Sequence, residues 1–294
     1  MNTNLIERIL VPTDMTEFSD LALRYALLFN ERLSSKITLL HADEISWFAA
    51  EHPLGYYFEN IPETKLALTK SLAAYAAENV PAKVGATTVF EDDTPARAIV
   101  ATARDINADL IIMGTHGRHG LERVILGSVT ERVLHTTNIP VISVAPANFP
   151  SDPDLRIRTI LCPVNFTPIA RMALEQACAM AESFDAELVL VHVVEGDEPH
   201  LFSAVESEFR TWVSPFIRAN TRYKEIVVRG DAAERVLTLA DQIEADLVVI
   251  GAQHRFFSDA TVVGTTTERI TRFAKHAVMT VILPPEKVRN AAVA

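Results

Sequence analysis

Cysteine is nearly absent. The 294 residues hold two, Cys162 and Cys178, with neither a CxxC pair nor a Cys/His zinc spacing. That pattern excludes a disulfide-stapled scaffold and reads as two buried thiols in a reducing compartment. Long apolar runs are missing as well, and no stretch approaches the ~18 residues that a membrane span needs. Met1 to Leu5 places no basic segment ahead of an apolar one, so no secretory leader is expected. Basic residues are outnumbered, 27 Lys and Arg against 38 Asp and Glu, for a net charge of -11. This balance argues against direct binding of nucleic-acid backbones, which needs clustered cations. A small anion held by backbone amides stays compatible with it. The expectation is a cytoplasmic protein with no membrane and no direct nucleic-acid contact. There is no Walker A loop with its lysine, no Ser-Gly-Gly pyrophosphatase-type loop and no His-x-Gly-His signature.

What is present is an internal repeat, which decides the architecture before any other feature. Ile9-Leu10-Val11-Pro12-Thr13-Asp14 returns as Ile160-Leu161-Cys162-Pro163-Val164-Asn165, and Leu39-Leu40-His41 as Leu190-Val191-His192, both displaced by 151 residues. Further on, Ala108-Asp109 through Gly114 returns as Ala245-Asp246 through Gly251, and Gly127-Ser128-Val129-Thr130-Glu131-Arg132 as Gly264-Thr265-Thr266-Thr267-Glu268-Arg269, now displaced by 137 residues. The second copy is therefore shorter by 14 residues, lost between His192 and Asp246. In that interval the first copy carries an aromatic insert from Trp47 to Asn60, with Phe48, Tyr56, Tyr57 and Phe58. Packing over the sheet, a lid, a partner surface or a hydrophobic-ligand site would each account for it. The proline-rich run Ala145 to Asp154 reads as a stiff linker. The domains are placed at 1–147 and 154–288.

Within the first copy, an apolar run from Ile6 to Val11 suits a buried strand. Phe18, Leu21, Ala22, Tyr25, Leu28 and Phe29 then fall at helical spacing. Strands are expected at 36–40, 83–90, 109–113 and 141–144, and helices at 64–79, 95–106 and 128–136. The second copy repeats the scheme with strands near 157–162, 187–193, 223–229, 246–250 and 278–283. Strands that are apolar on both faces and alternate with helices imply a parallel sheet covered on both sides. Ligands of such sheets sit beyond the carboxyl ends of the strands, where strand order reverses. The repeated blocks run into those ends, in the loops after the first and fourth strands.

The loop after the fourth strand reads Gly114-x2-Gly117-x9-Gly127-Ser128. Glycines let backbone N–H groups approach a ligand without a Cβ in the way. Ser128 and Glu131 have the spacing of a capping box, repeated as Thr265 and Glu268, which places a helix N-terminus at Ser128. Such a terminus offers unpaired N–H groups and the positive end of the helix dipole, both suited to phosphate. A tight strand-to-helix turn with an ordinary cap explains the same residues.

These features together resemble the universal stress protein family, over nearly the whole chain and twice. Its nucleotide-binding members carry G-x2-G-x9-G-[ST], which the first copy matches in full. Pro12-Thr13-Asp14 and Leu39-Leu40-His41-Ala42 resemble further family signatures. The resemblance implies two tandem α/β domains, each a Rossmann-like sandwich on a five-stranded parallel sheet of order 3-2-1-4-5. It also implies ATP, with or without Mg2+, across the ends of strands one and four. Pro12, Thr13, Asp14 and Ala42 would line the adenine and ribose, and Met113 and Gly114 would continue that wall. Gly117, Arg118, Gly127, Ser128, Val129 and Thr130 would hold the phosphates. In the second copy Asp14 is replaced by Asn165 and Gly117 by His254, so ATP binding there is expected to be weak or absent. The resemblance further implies that the fifth strands of the two copies pair within one chain, hiding two sheet edges. Association of two chains into a homodimer stays open.

His41 and His192 read as packing residues at equivalent strand ends, and His116 and His119 as solvated loop residues rather than metal ligands. Three functions fit the sequence. One is a nucleotide-dependent stress-response regulator. Another is a slow ATPase or self-phosphorylating enzyme, in which Asp14 activates water or a metal and Ser128 or Thr130 accepts phosphate. The third is a binding scaffold without nucleotide.

Overall fold

A computed structural model of the chain describes residues 6–45, 61–115, 126–145, 155–196, 202–217, 221–252, 255–257, 260–262 and 264–282. The aromatic insert, the centre of the proline-rich linker, His116 to His119 and His254 lie outside the described residues. The chain divides into two compact units, with the division near residue 140.

The first copy runs β1 (Arg8–Pro12), α1 (Glu17–Leu33), β2 (Lys36–Ala42), α2 (Ile61–Asn79), β3 (Thr87–Glu91), α3 (Pro95–Asp105), β4 (Leu110–Gly114), α4 (Ser128–Thr136) and β5 (Val141–Val144). Its strand order is β3-β2-β1-β4-β5. The pairing of β1 with β2 and β4, and of β2 with β3, is parallel. The second copy runs β6 (Thr159–Pro163), α5 (Pro168–Phe184), β7 (Glu187–Val194), α6 (Phe202–Val213), β8 (Tyr223–Arg229), α7 (Ala232–Gln242), β9 (Leu247–Ala252), β10 (Arg255–Phe257), β11 (Ala260–Val262), α8 (Thr265–Phe273) and β12 (Ala277–Ile282). Its sheet has the same order, β8-β7-β6-β9-β12. Each copy is thus a five-stranded parallel, Rossmann-like sheet of order 3-2-1-4-5.

The hydrophobic pattern explains the layers. Ile9, Leu10 and Val11 on β1 and Leu110, Ile111 and Ile112 on β4 are fully buried, as strands sandwiched between helices must be. From α1, Leu21, Ala22, Tyr25, Ala26 and Phe29 face the sheet at helical spacing. α3 opens with Pro95 at its first position and buries Ala96, Ile99, Val100 and Ala103. Cys162 and Cys178 are buried and unbridged. Burial, then the nearby Cys178, pushes the Cys162 thiol well above its ordinary range, so it carries no reactive thiolate.

The repeat extends to backbone strain. Six non-glycine described residues have positive φ, and they form three equivalent pairs: Met15 with Phe166, Ser34 with Asp185, and Asn107 with Glu244. Each left-handed turn is held by the surrounding hydrogen bonds rather than by glycine. The Ser34 N–H donates to Asn30 O at 2.8 Å, closing α1, and the Ala108 N–H donates to Ala103 O at 2.8 Å, closing α3.

The repeated Ala-Asp before β4 and β9 also acquires a cause. Asp109 Oδ2 accepts the backbone N–H groups of Glu7 and Arg8 at 3.0 and 2.9 Å, tying the start of β1 to β4. Asp246 Oδ2 does the same for Arg158 and Thr159 at 2.7 and 2.9 Å.

Two sequence expectations need correction. The third strand begins at Thr87 rather than at 83, because Pro81 to Gly85 forms a turn. There the N–H groups of Val84 and Gly85 both donate to Pro81 O, at 2.8 and 3.1 Å, and Gly85 takes φ +66°. The hairpin β10–β11, with Arg255 opposite Val262, was not foreseen. It occupies the nine-residue interval ahead of Gly264.

Asp109→Ala is expected to destabilise the protein by about 2 kcal/mol, since it strips a carboxylate from two backbone donors. The check is a lowered urea midpoint, with a smaller loss for Asp109→Asn, which keeps a carbonyl oxygen in reach.

Candidate functional site

The carboxyl ends of β1, β2 and β4 bring the expected residues of the first copy to one end of its sheet. Pro12 pairs with Leu40, and the Thr13 N–H continues the ladder to Leu40 O at 2.8 Å. Thr13 is buried, and its carbonyl faces His41 Nδ1 at 2.8 Å. Because a carbonyl only accepts, that ring nitrogen carries a proton. The arrangement recurs at His192 Nδ1 and Val164 O, at 2.7 Å, so this histidine serves the fold in both copies, as expected from its position.

Beyond Thr13 the chain turns sharply. Met15 sits at φ +60°. Its N–H donates to Thr13 Oγ1 at 2.9 Å. Asp14 Oδ1 accepts from Thr16 N at 3.1 Å and Thr16 Oγ1 at 2.6 Å, an Asx turn that leads into α1. The second copy keeps the left-handed turn, with Phe166 at φ +60°, and the hydroxyl bond, as Thr167 Oγ1 donates to Asn165 Oδ1 at 2.6 Å. The change from Asp14 to Asn165 thus removes a negative charge while preserving the turn.

On the other side of the strand-order reversal, β4 ends with buried Met113 and then Gly114. The Gly127 N–H donates to Thr115 O at 2.7 Å, closing the base of the loop between them. Gly127 is required here by close approach, because a Cβ at this position would lie 2.6 Å from Thr115 O. Thr130 Oγ1 donates to Gly114 O at 2.9 Å and fixes the first turn of α4 over the end of β4. Thr267 Oγ1 makes the same bond to Gly251 O at 3.0 Å. The Thr130 hydroxyl is therefore a structural tie, and Ser128 is the exposed-side hydroxyl of this turn.

The capping box expected from Ser128 and Glu131 does not form. Gly127 is the N-cap residue, in extended conformation and with no side-chain cap, and its carbonyl accepts the Glu131 N–H at 2.9 Å. Ser128 and Glu131 then stand at the first and fourth helical positions, one step past the geometry that the box needs. Gly264 precedes Thr265 in the same way. In consequence the N–H groups of Ser128, Val129 and Thr130 open the helix at the positive end of its dipole, behind an N-cap glycine that has no side chain to cap them. Gly117 and Arg118 lie outside the described residues.

A polar network was missed in the sequence. Beneath the Asp14 turn, Thr13 Oγ1 and Ser19 Oγ are 2.8 Å apart. Ser19 Oγ donates to Thr16 O at 2.9 Å, so its single proton is used there, and Thr13 is the donor to Ser19. On the adjoining α2, Tyr75 OH donates to Asp20 Oδ1 at 2.6 Å. Burial first, and then the Asp20 carboxylate, pushes the Tyr75 phenol well above its ordinary range. The repeat offset held the signal, since Ser19 and Asp20 correspond to Ala170 and Arg171.

Two outcomes follow. Gly127→Ala should destabilise the protein by roughly 1–3 kcal/mol through overpacking against Thr115, whereas Gly264→Ala, whose Cβ meets nothing within 4 Å among the described residues, should stay within about 0.5 kcal/mol. Paired thermal melts check both. A raised phenol pKa contributes stability that is present below the ordinary value of about 10 and lost as pH rises through the folded value. Tyr75→Phe should therefore leave the tyrosinate absorbance rise near pH 10 unchanged while flattening the loss of stability at higher pH.

Comparison with known proteins agrees with this architecture. The sequence matches the universal stress protein family over residues 6–145, 156–211 and 215–281. A universal stress protein of Mycolicibacterium smegmatis is 25% identical over 288 residues, covering 93% of this chain and 96% of its own. One from Methanocaldococcus jannaschii is 33% identical over 144 residues, 48% of this chain and 83% of the relative. Among solved structures, a universal stress protein from Archaeoglobus fulgidus shares the fold with a TM-score of 0.68 at 20% identity, over 95% of this chain and 98% of that one. The chain belongs to the universal stress protein family, with two copies of the family's domain in tandem.

Proposed function

We propose that the first copy binds ATP across the carboxyl ends of β1 and β4, and that the chain acts as a nucleotide-dependent stress-response regulator. The observation that carries this reading is the start of α4 at a glycine N-cap beside the end of β4. Ser128, Val129 and Thr130 present backbone N–H groups at the positive end of the helix dipole, behind a glycine N-cap. Gly117 and Arg118 complete the phosphate loop in the sequence motif. Thr13, Asp14, Ala42, Met113 and Gly114, at the ends of neighbouring strands, suit the adenosine portion, with Asp14 an acceptor for ribose hydroxyls or the adenine amino group. Mg2+ would accompany the phosphates and offset their charge.

The second copy is proposed to bind ATP weakly or not at all. Asn165 has lost the carboxylate, and His254 stands where the motif of the first copy has Gly117. We further propose that the two copies pair through their fifth strands. Such pairing would hide two sheet edges that otherwise invite aggregation. Two buried, unbridged cysteines suit a reducing, cytoplasmic setting. Among the described residues no helix is long and apolar enough to cross a membrane.

Equilibrium dialysis with radiolabelled ATP and magnesium tests the assignment. Asp14→Asn, which copies the second copy while keeping the turn, is expected to weaken binding about tenfold, or ~1.4 kcal/mol. Unchanged affinity in this variant would remove Asp14 from the site. Label released as phosphate at a steady rate would move the reading to an ATPase.

A further inference from the structure

Beneath the Asp14 turn the two copies differ as a set. Thr13 is replaced by Val164, Ser19 by Ala170, Asp20 by Arg171 and Tyr75 by Trp212. The last correspondence is spatial as well as sequential. Tyr75 meets Asp20 through a 2.6 Å hydrogen bond, and Trp212 meets Arg171, whose guanidinium lies 5.9 Å from its ring centre. Around that pair the second copy packs aromatic rings. Phe166 stacks on His192 with centroids 4.5 Å apart, and Phe209 and Trp212 lie edge-on to Phe166. Arg171 also covers Phe216, at 5.5 Å. Both arrangements fix the helix before the third strand onto the first helix. The first does so with a hydrogen bond to Asp20, the neighbour in sequence of Ser19, whose hydroxyl is bonded to the residue before Asp14.

The hydroxyl chain has a definite order. The Met15 N–H donates to Thr13 Oγ1, Thr13 donates to Ser19, and Ser19 donates to Thr16 O. These bonds brace the left-handed residue Met15 from both sides, and Asp14 lies between the braced residues. Tyr75 bonds Asp20, next to Ser19 on α1, and so ties the helix start beneath the turn to α2. In the second copy Val164 and Ala170 carry no hydroxyls, and the carboxylate that the brace would aim is itself replaced by Asn165. All four polar residues have thus been exchanged in the copy that also lacks the carboxylate.

We infer that Tyr75, with Asp20 and Ser19, is a positioning residue for nucleotide binding in the first copy, holding the Thr13–Asp14 turn in its binding geometry through directional hydrogen bonds. The inference rests on the proposed nucleotide site. Tyr75 itself touches no nucleotide in this account and acts through the turn. The aromatic cluster of the second copy supplies the same packing without the aim.

The test is calorimetric titration of the full chain with ATP and magnesium, in parallel with thermal melts without ligand. Three variants are compared with wild type: Tyr75→Phe, Ser19→Ala, and the double variant Asp20→Arg/Tyr75→Trp, which grafts the second copy's stacked pair. Tyr75→Phe and the double variant are expected to bind ATP about tenfold more weakly. The double variant should nevertheless keep a melting temperature close to that of wild type, because the stacked pair restores packing. Recovery of wild-type affinity in the double variant would overturn the positioning role and leave a packing role. Should the larger replacements unfold, Ser19→Ala decides alone: weaker binding supports the inference and unchanged binding overturns it. Wild-type protein that binds no ATP overturns the site and this inference together, whereas tight binding by wild type and all variants alike overturns only the inference.

Discussion

The backbone contact between Gly127 and Thr115 is the constraint on which the first copy's strand-end geometry depends. The amide of Gly127 reaches Thr115 O at 2.7 Å, and a side chain there would lie 2.6 Å from the same oxygen. That approach brings the start of α4 back over the end of β4, and Thr130 then locks it to Gly114 O. The helix consequently begins without a side-chain cap, with its first N–H groups beside the ends of β1 and β4. An Asx turn at Asp14, a left-handed Met15 and a hydroxyl chain through Thr13 and Ser19 build the opposite wall. Each wall follows from short-range hydrogen bonds, and the parallel sheet fixes the distance between them.

The two copies separate what the fold needs from what a ligand would need. Features present in both belong to the fold: Asp109 and Asp246 at the strand starts, His41 and His192 under the first turn, and Thr130 and Thr267 on the fourth strand. Features present in one copy are free to serve a ligand or to compensate for its loss. The first copy keeps a carboxylate and a polar brace. The second has an amide and a cluster of aromatic rings under a guanidinium. Such exchange is what a duplicated domain permits, since one copy can retain binding while the other retains only packing.

Much of this was legible in the sequence because two periodicities coincide. The 151- and 137-residue offsets located equivalent strand ends, and alternation of apolar runs with helical spacing placed the layers, so the strand order followed from the resemblance. The capping box was misread because a serine or threonine three residues before a glutamate looks the same whether the first stands at the cap or one step inside. Only the close approach of Gly127 decides between them. The early start given to the third strand came from the β-branched content of 83–90, which the Pro81 to Gly85 turn overrides. Tyr75 was invisible because its partner Asp20 lies 55 residues away on another helix, a separation that no local pattern spans.

The account stands most directly on how many ATP molecules one chain binds. Calorimetric titration of nucleotide-free protein with ATP and magnesium gives that number, and the account predicts one per chain. Two per chain would contradict the reading of Asn165 and His254 as marks of a lost site. None would contradict the nucleotide assignment itself and leave the glycine loops as turns.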